Sequence, residues 1–166
     1  MSKKFEYRKR GESATNIYAN INKQKMKIAK LHMRPYNIRT DYINKTISEI
    51  VKREPSFITL EDLNIKGWMK NRHIAKSVAN MKLSEFKTRL IAKAKSKNIE
   101  VREVSRWFPS SGLCSNCNSH YNDQNQESKW SINIKQWTCK MCNTTHDRDI
   151  NAALNLQKAT EYIVLI

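Results

Sequence analysis

The chain has 166 residues, with 31 Lys and Arg against 15 Asp and Glu, a formal net charge of +16, and 39% hydrophobic and 28% charged residues. That length suits one domain plus a small accessory module, and three glycines and three prolines exclude a collagen-like or linker-rich chain. No apolar stretch follows the N-terminal charges, and the longest apolar run, Ile163–Ile166, is far too short to span a bilayer. The expectation is a cytoplasmic chain without a secretory signal or membrane span.

The charge is unevenly spread. Residues 1–54 carry 14 basic and 5 acidic side chains, residues 55–113 carry 12 and 5, and residues 114–166 carry 5 of each. An excess over two thirds of a chain lowers its self-repulsion by meeting a polyanion, above all nucleic acid. A solvated surface is the plain alternative. An anionic membrane ranks lower, because no Trp- and Phe-rich face opposes the basic ones.

In chain order, Phe5 and Tyr7 alternate with charges and suggest a short edge strand. From Ser13, a candidate N-cap, Ile17, Ile21, Ile28 and Leu31 mark one helical stripe. Pro35 predicts an interruption. A second helix would then place Ile38, Tyr42, Ile43, Ile47, Ile50 and Val51 on one face. After Glu54-Pro55, Phe57–Leu60 reads as a short buried strand that ends at Glu61-Asp62. Residues 63–75 read as a loop around Gly67. A third helix is expected from about Val78 to Lys97, with Leu83, Phe86, Leu90 and Ala94 inward, stopped by Asn98 in the left-handed conformation. Residues 99–104 alternate as a strand, 105–113 form a connector, 114–142 hold the cysteines, and 149–160 read as a final helix. This order implies an α/β body with a zinc insertion.

Cys114-x2-Cys117 and Cys139-x2-Cys142 are separated by 21 residues. Each C-x-x-C knuckle aims two thiolates at one point, and two knuckles supply the closed tetrahedral set of a structural zinc. The spacer is expected to form a hairpin, with Trp130, Ile132 and Ile134 alternating and Trp137 leading into the second knuckle. Asn118 and Asn143 follow the knuckles, where a permissive backbone is needed. Disulfides suit an oxidising compartment, and redox C-x-x-C pairs occur singly, so zinc is preferred.

Two carboxylates stand out. Glu61 ends an apolar strand, where α/β sheets bind ligands. Asp149 starts the last helix. Solvation and capping are the plain readings. Together they suggest hard oxygen ligands for Mg²⁺ in two-metal phosphodiester hydrolysis. Lys66, Lys70, Arg72, Arg106 and Trp107 are candidate nucleic-acid contacts, although Arg106 can equally pair with a carboxylate and Trp107 can pack beside Pro109.

Residues 58–67 (ITLEDLNIKG), 106–117 (RWFPSSGLCSNC) and 137–156 (WTCKMCNTTHDRDINAALNL) resemble the C-terminal half of the TnpB/OrfB proteins of bacterial insertion sequences. Those are RNA-guided DNA endonucleases related to type V CRISPR effectors. The resemblance runs from about residue 13 to about 160. It implies an α/β, partial RNase H-like (RuvC-like) domain with an inserted four-cysteine zinc ribbon. The implied segments are a basic helical part (1–54), a core part carrying Glu61 (55–113), the ribbon (114–145) and a final helix carrying Asp149 (146–166). By matching motifs, Glu61 and Asp149 are the second and third catalytic acids, with Asp147 the lesser choice. The implied ligands and partners are structural zinc, Mg²⁺, DNA and a guide RNA.

The sequence departs from the family at Gly112, where Lys is usual, and at Asn118 and Asn143, where Gly is usual. Nothing matches the D-x-G motif of the first catalytic strand, since Glu6, Glu12 and Asp41 end no buried strand. The preceding guide-RNA and target-recognition domains are also unmatched. The chain is therefore expected not to cleave DNA alone and to leave apolar helix surface uncovered, and so to need a partner fragment, to oligomerise or to be a degraded relic. A catalytically dead nucleic-acid-binding or regulatory protein, or a plain zinc-ribbon scaffold, is the alternative.

Overall fold

A computed structural model describes residues 14–124, 131 and 133–166. The expected strand at Phe5 and Tyr7, the Ser13 cap, Glu6, Glu12, Trp130 and Ile132 lie outside that range. The chain divides into two units, Met1–Thr46 and Ile47–Ile166.

The first unit is described through α1, a helix that spans Ala14–Lys52. Two helices parted at Pro35 are the sequence expectation, yet Pro35 lies inside one helix of 39 residues. Pro removes one amide donor and crowds the preceding turn. Here residues 22–39 are exposed, so water can take the place of the lost donor. The anticipated uncovered apolar surface is present on this unit: Ile28, Leu31, Ile38 and Tyr42 are all more than half exposed. Of the six residues expected on one inward face of the second helix, Ile43, Ile47 and Val51 are buried, while Ile38 and Tyr42 are not.

In the second unit, β1 (Phe57–Glu61) pairs in parallel with β2 (Glu100–Val104), in the register Phe57↔Glu100 to Glu61↔Val104. A parallel pair needs a helical crossover. It is made by α2 (Ile65–Lys70), α3 (Ala75–Met81) and α4 (Leu83–Lys95). The loop expected at 63–75 thus contains α2. Asn64 caps it by accepting from Gly67 N–H at 3.0 Å. A Cβ on Gly67 would stand 2.3 Å from the Asn64 amide, so this cap needs glycine.

The single helix expected from Val78 to Lys97 is broken at Lys82, which adopts φ 54° and joins α3 to α4. Lysine carries no local signal for that left-handed turn. Asn98 takes φ 54°, as expected of the residue that stops α4.

The core lies where α4 packs on β2. Leu90, Ala94 and Val101 are fully enclosed, and Val104 and Ile99 are nearly so. A further strand, β5 (Ile163–Val164), pairs antiparallel with β2 and gives the order β1-β2-β5. The sequence shows only an apolar run there. Arg102 is sandwiched between the rings of Phe57 and Tyr162, 3.8 and 4.5 Å from their centroids.

The cysteine region begins with a bridge between Leu113 and His120 and one helical turn, α5 (Tyr121–Gln124). Then β3 (Gln136–Thr138) pairs antiparallel with β4 (Thr145–Asp147). This hairpin encloses the second knuckle; the hairpin expected in the spacer rests largely on residues outside the described range. The final helix, α6 (Arg148–Lys158), follows β4 directly and packs against β1.

Candidate functional site

The four cysteine sulfurs lie within 4.8 Å of one another. Cys114 and Cys142 are 3.6 Å apart, as are Cys117 and Cys139. Sulfurs of a tetrahedral zinc with Zn–S of about 2.3 Å stand roughly 3.8 Å apart, so the set fits that ion. Asn118 and Asn143 adopt φ 60° and 56° and donate their N–H back to the Cys114 and Cys139 carbonyls at 2.8 Å, closing both knuckles as expected.

The thiols of Cys114, Cys139 and Cys142 are not equally easy to ionise. Burial pushes the Cys114 thiol up to about 12, against the backbone N–H groups of Cys117 and Asn116 that favour its thiolate. Burial opposes the Cys139 thiolate too, but Ser119 and the N–H groups of Cys142 and Met141 outweigh it and lower that thiol. Thr144, then Asn116, bring Cys142 down to about 5. Zinc deprotonates coordinating thiols outright and would resolve these conflicting preferences. Trp137 closes the small interior, edge-on to Tyr121 with ring centroids 5.4 Å apart.

The carboxylates occupy a second location. Parallel pairing carries Glu61 to the C-terminal end of β1, and Asp62 N–H extends the ladder to Val104 O at 2.9 Å. A cavity of about 650 Å³ opens there, lined by Glu61, Asp62, Lys66, Lys87 and Arg106 among others. Burial, then the neighbouring Asp62 charge, raises the Glu61 carboxyl above its usual value. Arg106 donates to Asp62 Oδ2 through Nε at 2.8 Å and through a terminal nitrogen, which holds Asp62 below the usual carboxylate range.

Glu61 is thus less at ease ionised in the folded chain than in the unfolded one. Its folded value lies above the unfolded one, so stability falls as pH rises from the ordinary glutamate range through the raised value. Glu61→Gln is expected to raise the melting temperature at pH 7 and to lose that advantage below about pH 4, where both states bind the proton. Thermal melts of both forms across pH check this. An unchanged or lower melting temperature at pH 7 would contradict it.

Asp147 is the N-cap of α6 and accepts from Asp149 N–H at 3.0 Å and Ile150 N–H at 3.1 Å. Asp149 therefore does no capping. Its side chain is 76% exposed and accepts from Arg148 Nε at 3.2 Å. Asp149 is not among the residues lining the Glu61 cavity.

Of the candidate nucleic-acid contacts, Lys66 and Arg106 line that cavity. Lys70 ends α2 and is exposed, as is Arg72 beside His73. Trp107 is 86% exposed, so it does not pack against Pro109 as its plain reading has it.

Sequence reasoning passes over Asp62, His146 and two buried asparagines. Asn151 Oδ1 accepts from Ser115 N–H at 3.0 Å, and its amide nitrogen donates to Leu113 O at 2.7 Å. Asn155 donates to Ser110 O and Leu113 O, both at 2.7 Å. Their i, i+4 spacing on the last helix is the available signal. These bonds tie α6 to the entrance of the first knuckle.

The second unit is thus an α/β body carrying, beside the last helix, four cysteines that could hold a metal ion. Residues 84–156 match the family model described as Cas12f1-like, TNB domain. A Streptomyces pristinaespiralis protein named "Putative RNA-guided DNA endonuclease" is 33% identical over 141 residues, 85% of this chain and 33% of its own length. A Mycobacterium tuberculosis protein, Rv2885c, carries the same designation and is 26% identical over 140 residues, 81% of this chain and 28% of its own. A cryo-EM structure of the Cas12f1-sgRNA-target DNA complex matches with a TM-score of 0.55 over 95% of this chain and 42% of that one. At 18% identity, that likeness is one of fold alone.

The chain is thus similar, over residues 84–156, to that domain family and, over most of its length, to proteins named "Putative RNA-guided DNA endonuclease". It spans about a third of the length of the curated relatives it matches. Among the described residues, no helix is long and apolar enough to cross a membrane.

Proposed function

We propose that this chain is the nuclease-domain part of an RNA-guided DNA endonuclease. In this reading residues 55–113 and 146–166 form a partial RuvC-like core, and 114–145 form the zinc ribbon inserted before its last helix. Residues 1–54 add a basic helix. Glu61 and Asp149 are the acids that hold Mg²⁺, and the metal polarises the scissile phosphate when bound. Lys66 and Arg106 sit beside Glu61, where a phosphodiester backbone would lie. The observation that carries the reading is the placement of Glu61 at the C-terminal end of a parallel strand, in a cavity edged with basic residues.

Apart from Asp62, which is paired with Arg106, no further acid lines the Glu61 cavity among the described residues. Asp41 pairs with Lys45 on exposed α1 at 2.8 Å. β1 is an edge strand of the described sheet, and a groove of about 410 Å³ follows it, lined by Phe57, Thr59 and Leu156. Thr59 Oγ1 is buried there without a hydrogen-bond partner. A further strand laid on that edge would bring the missing acid. Without it the chain binds DNA and RNA and does not cut.

Binding is expected to be electrostatic. With +16 distributed over residues 1–113, affinity for duplex DNA should fall about a thousandfold or more between 50 and 200 mM salt, as for proteins neutralising several phosphates. Fluorescence anisotropy over that range measures it. Affinity that is absent at 50 mM, or insensitive to salt, would remove the nucleic-acid reading.

A further inference from the structure

His146 stands outside the four-cysteine set yet touches it. It is the central residue of β4, 6% exposed, paired across the hairpin with Trp137, and its ring centroid is 4.8 Å from that indole. Its Nε2 lies 3.1 Å from Cys114 Sγ. Two ligands on one tetrahedral zinc, one nitrogen and one sulfur, would stand about 3.6 Å apart. The shorter contact is that of a hydrogen bond. With zinc bound, Cys114 is a thiolate and only accepts, so the nitrogen facing it would carry the proton.

The other sulfurs have hydroxyl neighbours. Ser119 Oγ is 2.9 Å from Cys117 Sγ and 3.3 Å from Cys139 Sγ, and Thr144 Oγ1 is 3.3 Å from Cys142 Sγ. Cys114 is fully enclosed, and its side-chain nitrogen or oxygen neighbour among the described residues is His146.

We propose that His146 is a positioning residue for the zinc centre, donating its Nε2–H to the Cys114 thiolate. This rests on the zinc reading of the four cysteines. Four thiolates leave a Zn²⁺ site with two excess negative charges, and water does not reach Cys114 to offset its share. The imidazole N–H does so, and it also fixes the direction of that ligand. Such outer partners commonly change metal affinity about ten- to a hundredfold when removed. His146 also precedes Asp147, which caps the helix carrying Asp149, so the same bond links the ribbon to the acid segment.

The test compares the zinc-loaded wild type with His146→Phe, which keeps a ring against Trp137 but has no donor, and His146→Gln, which restores an N–H. Zinc affinity is read by competition with a chromophoric chelator. The sulfur-to-metal charge-transfer band is read on the Co²⁺ form. We expect His146→Phe to bind zinc about ten- to a hundredfold more weakly, with a band of four-thiolate intensity moved to longer wavelength. His146→Gln should recover most of both.

Equal weakening in the two variants with an unmoved band would mean packing alone and overturn the proposal. So would a wild-type Co²⁺ spectrum of three thiolates and one nitrogen. Imidazole nitrogen shifts of the wild type need no variant: a protonated Nε2 is expected, and a bare one overturns the proposal. Wild-type protein that binds no zinc would remove the zinc reading itself.

Discussion

Cys139→Ser should abolish zinc binding and unfold the ribbon while leaving the β1–β2 core folded. Among the described residues, the ribbon's buried hydrophobic cluster is Cys114, Trp137 and Cys139, with Tyr121, Ile134 and Cys142 partly covered. So small an interior cannot offset the entropy of ordering its backbone, which costs about 1–2 kcal/mol per residue. Zinc supplies the difference, since apparent binding energies of structural zinc in isolated fingers run at about 10–16 kcal/mol. Hydrogen exchange distinguishes the parts. In Cys139→Ser, or after chelation, amides of 136–138 and 145–147 should exchange freely. Those pairing Phe57–Glu61 with Glu100–Val104 should stay protected. Retained protection in the hairpin without metal would show that the cysteines are not what holds it.

The second large effect is expected at Asn151. Asn151→Leu keeps approximate volume but removes an acceptor from Ser115 N–H and a donor to Leu113 O in a site that is 1% exposed. Leu113 O keeps its bond from Asn155, and the Ser115 N–H left without a partner costs about 1–3 kcal/mol, so a loss of roughly 2 kcal/mol is expected. Asn155→Leu should cost a similar amount. The two share Leu113 O, which keeps one amide donor in either single variant and loses both in the double, so the double variant should lose more than the sum. Urea denaturation of the four forms measures both points. A loss under about 0.5 kcal/mol for Asn151→Leu, the range of ordinary surface changes, would show these amides to be dispensable.

Much of the fold is legible because its signals are local. The strands at Phe57–Glu61 and Glu100–Val104 follow from short apolar runs bounded by turns, and they arrive within a residue of expectation. The left-handed Asn98, Asn118 and Asn143 follow from helix-stop and knuckle chemistry. The cysteine spacing foretells the four-sulfur cluster that could hold a metal ion. The misses have non-local causes. Pro35 stays within α1 because an exposed helix can solvate the carbonyl that loses its donor. Lys82 breaks the third helix with no residue type to announce it. β5 exists only because β2 offers an edge, and a two-residue strand has no periodicity to read.

The candidate site divides the same way. Glu61 is found from its place at a strand end. The Asp62–Arg106 pair joins residues 44 apart, so no local pattern signals it. Asp149 reads as a cap in the sequence, but Asp147 takes that role and leaves the Asp149 carboxylate turned to solvent.

Supercoiled plasmid incubated with the zinc-loaded chain and Mg²⁺ or Mn²⁺ tests the central claim most directly. We expect the plasmid to be bound at low salt and to stay intact, with no more nicking than the Glu61→Ala variant gives. Nicking by the wild type that vanishes in Glu61→Ala would contradict the claim that this chain supplies only two acids of an incomplete metal site.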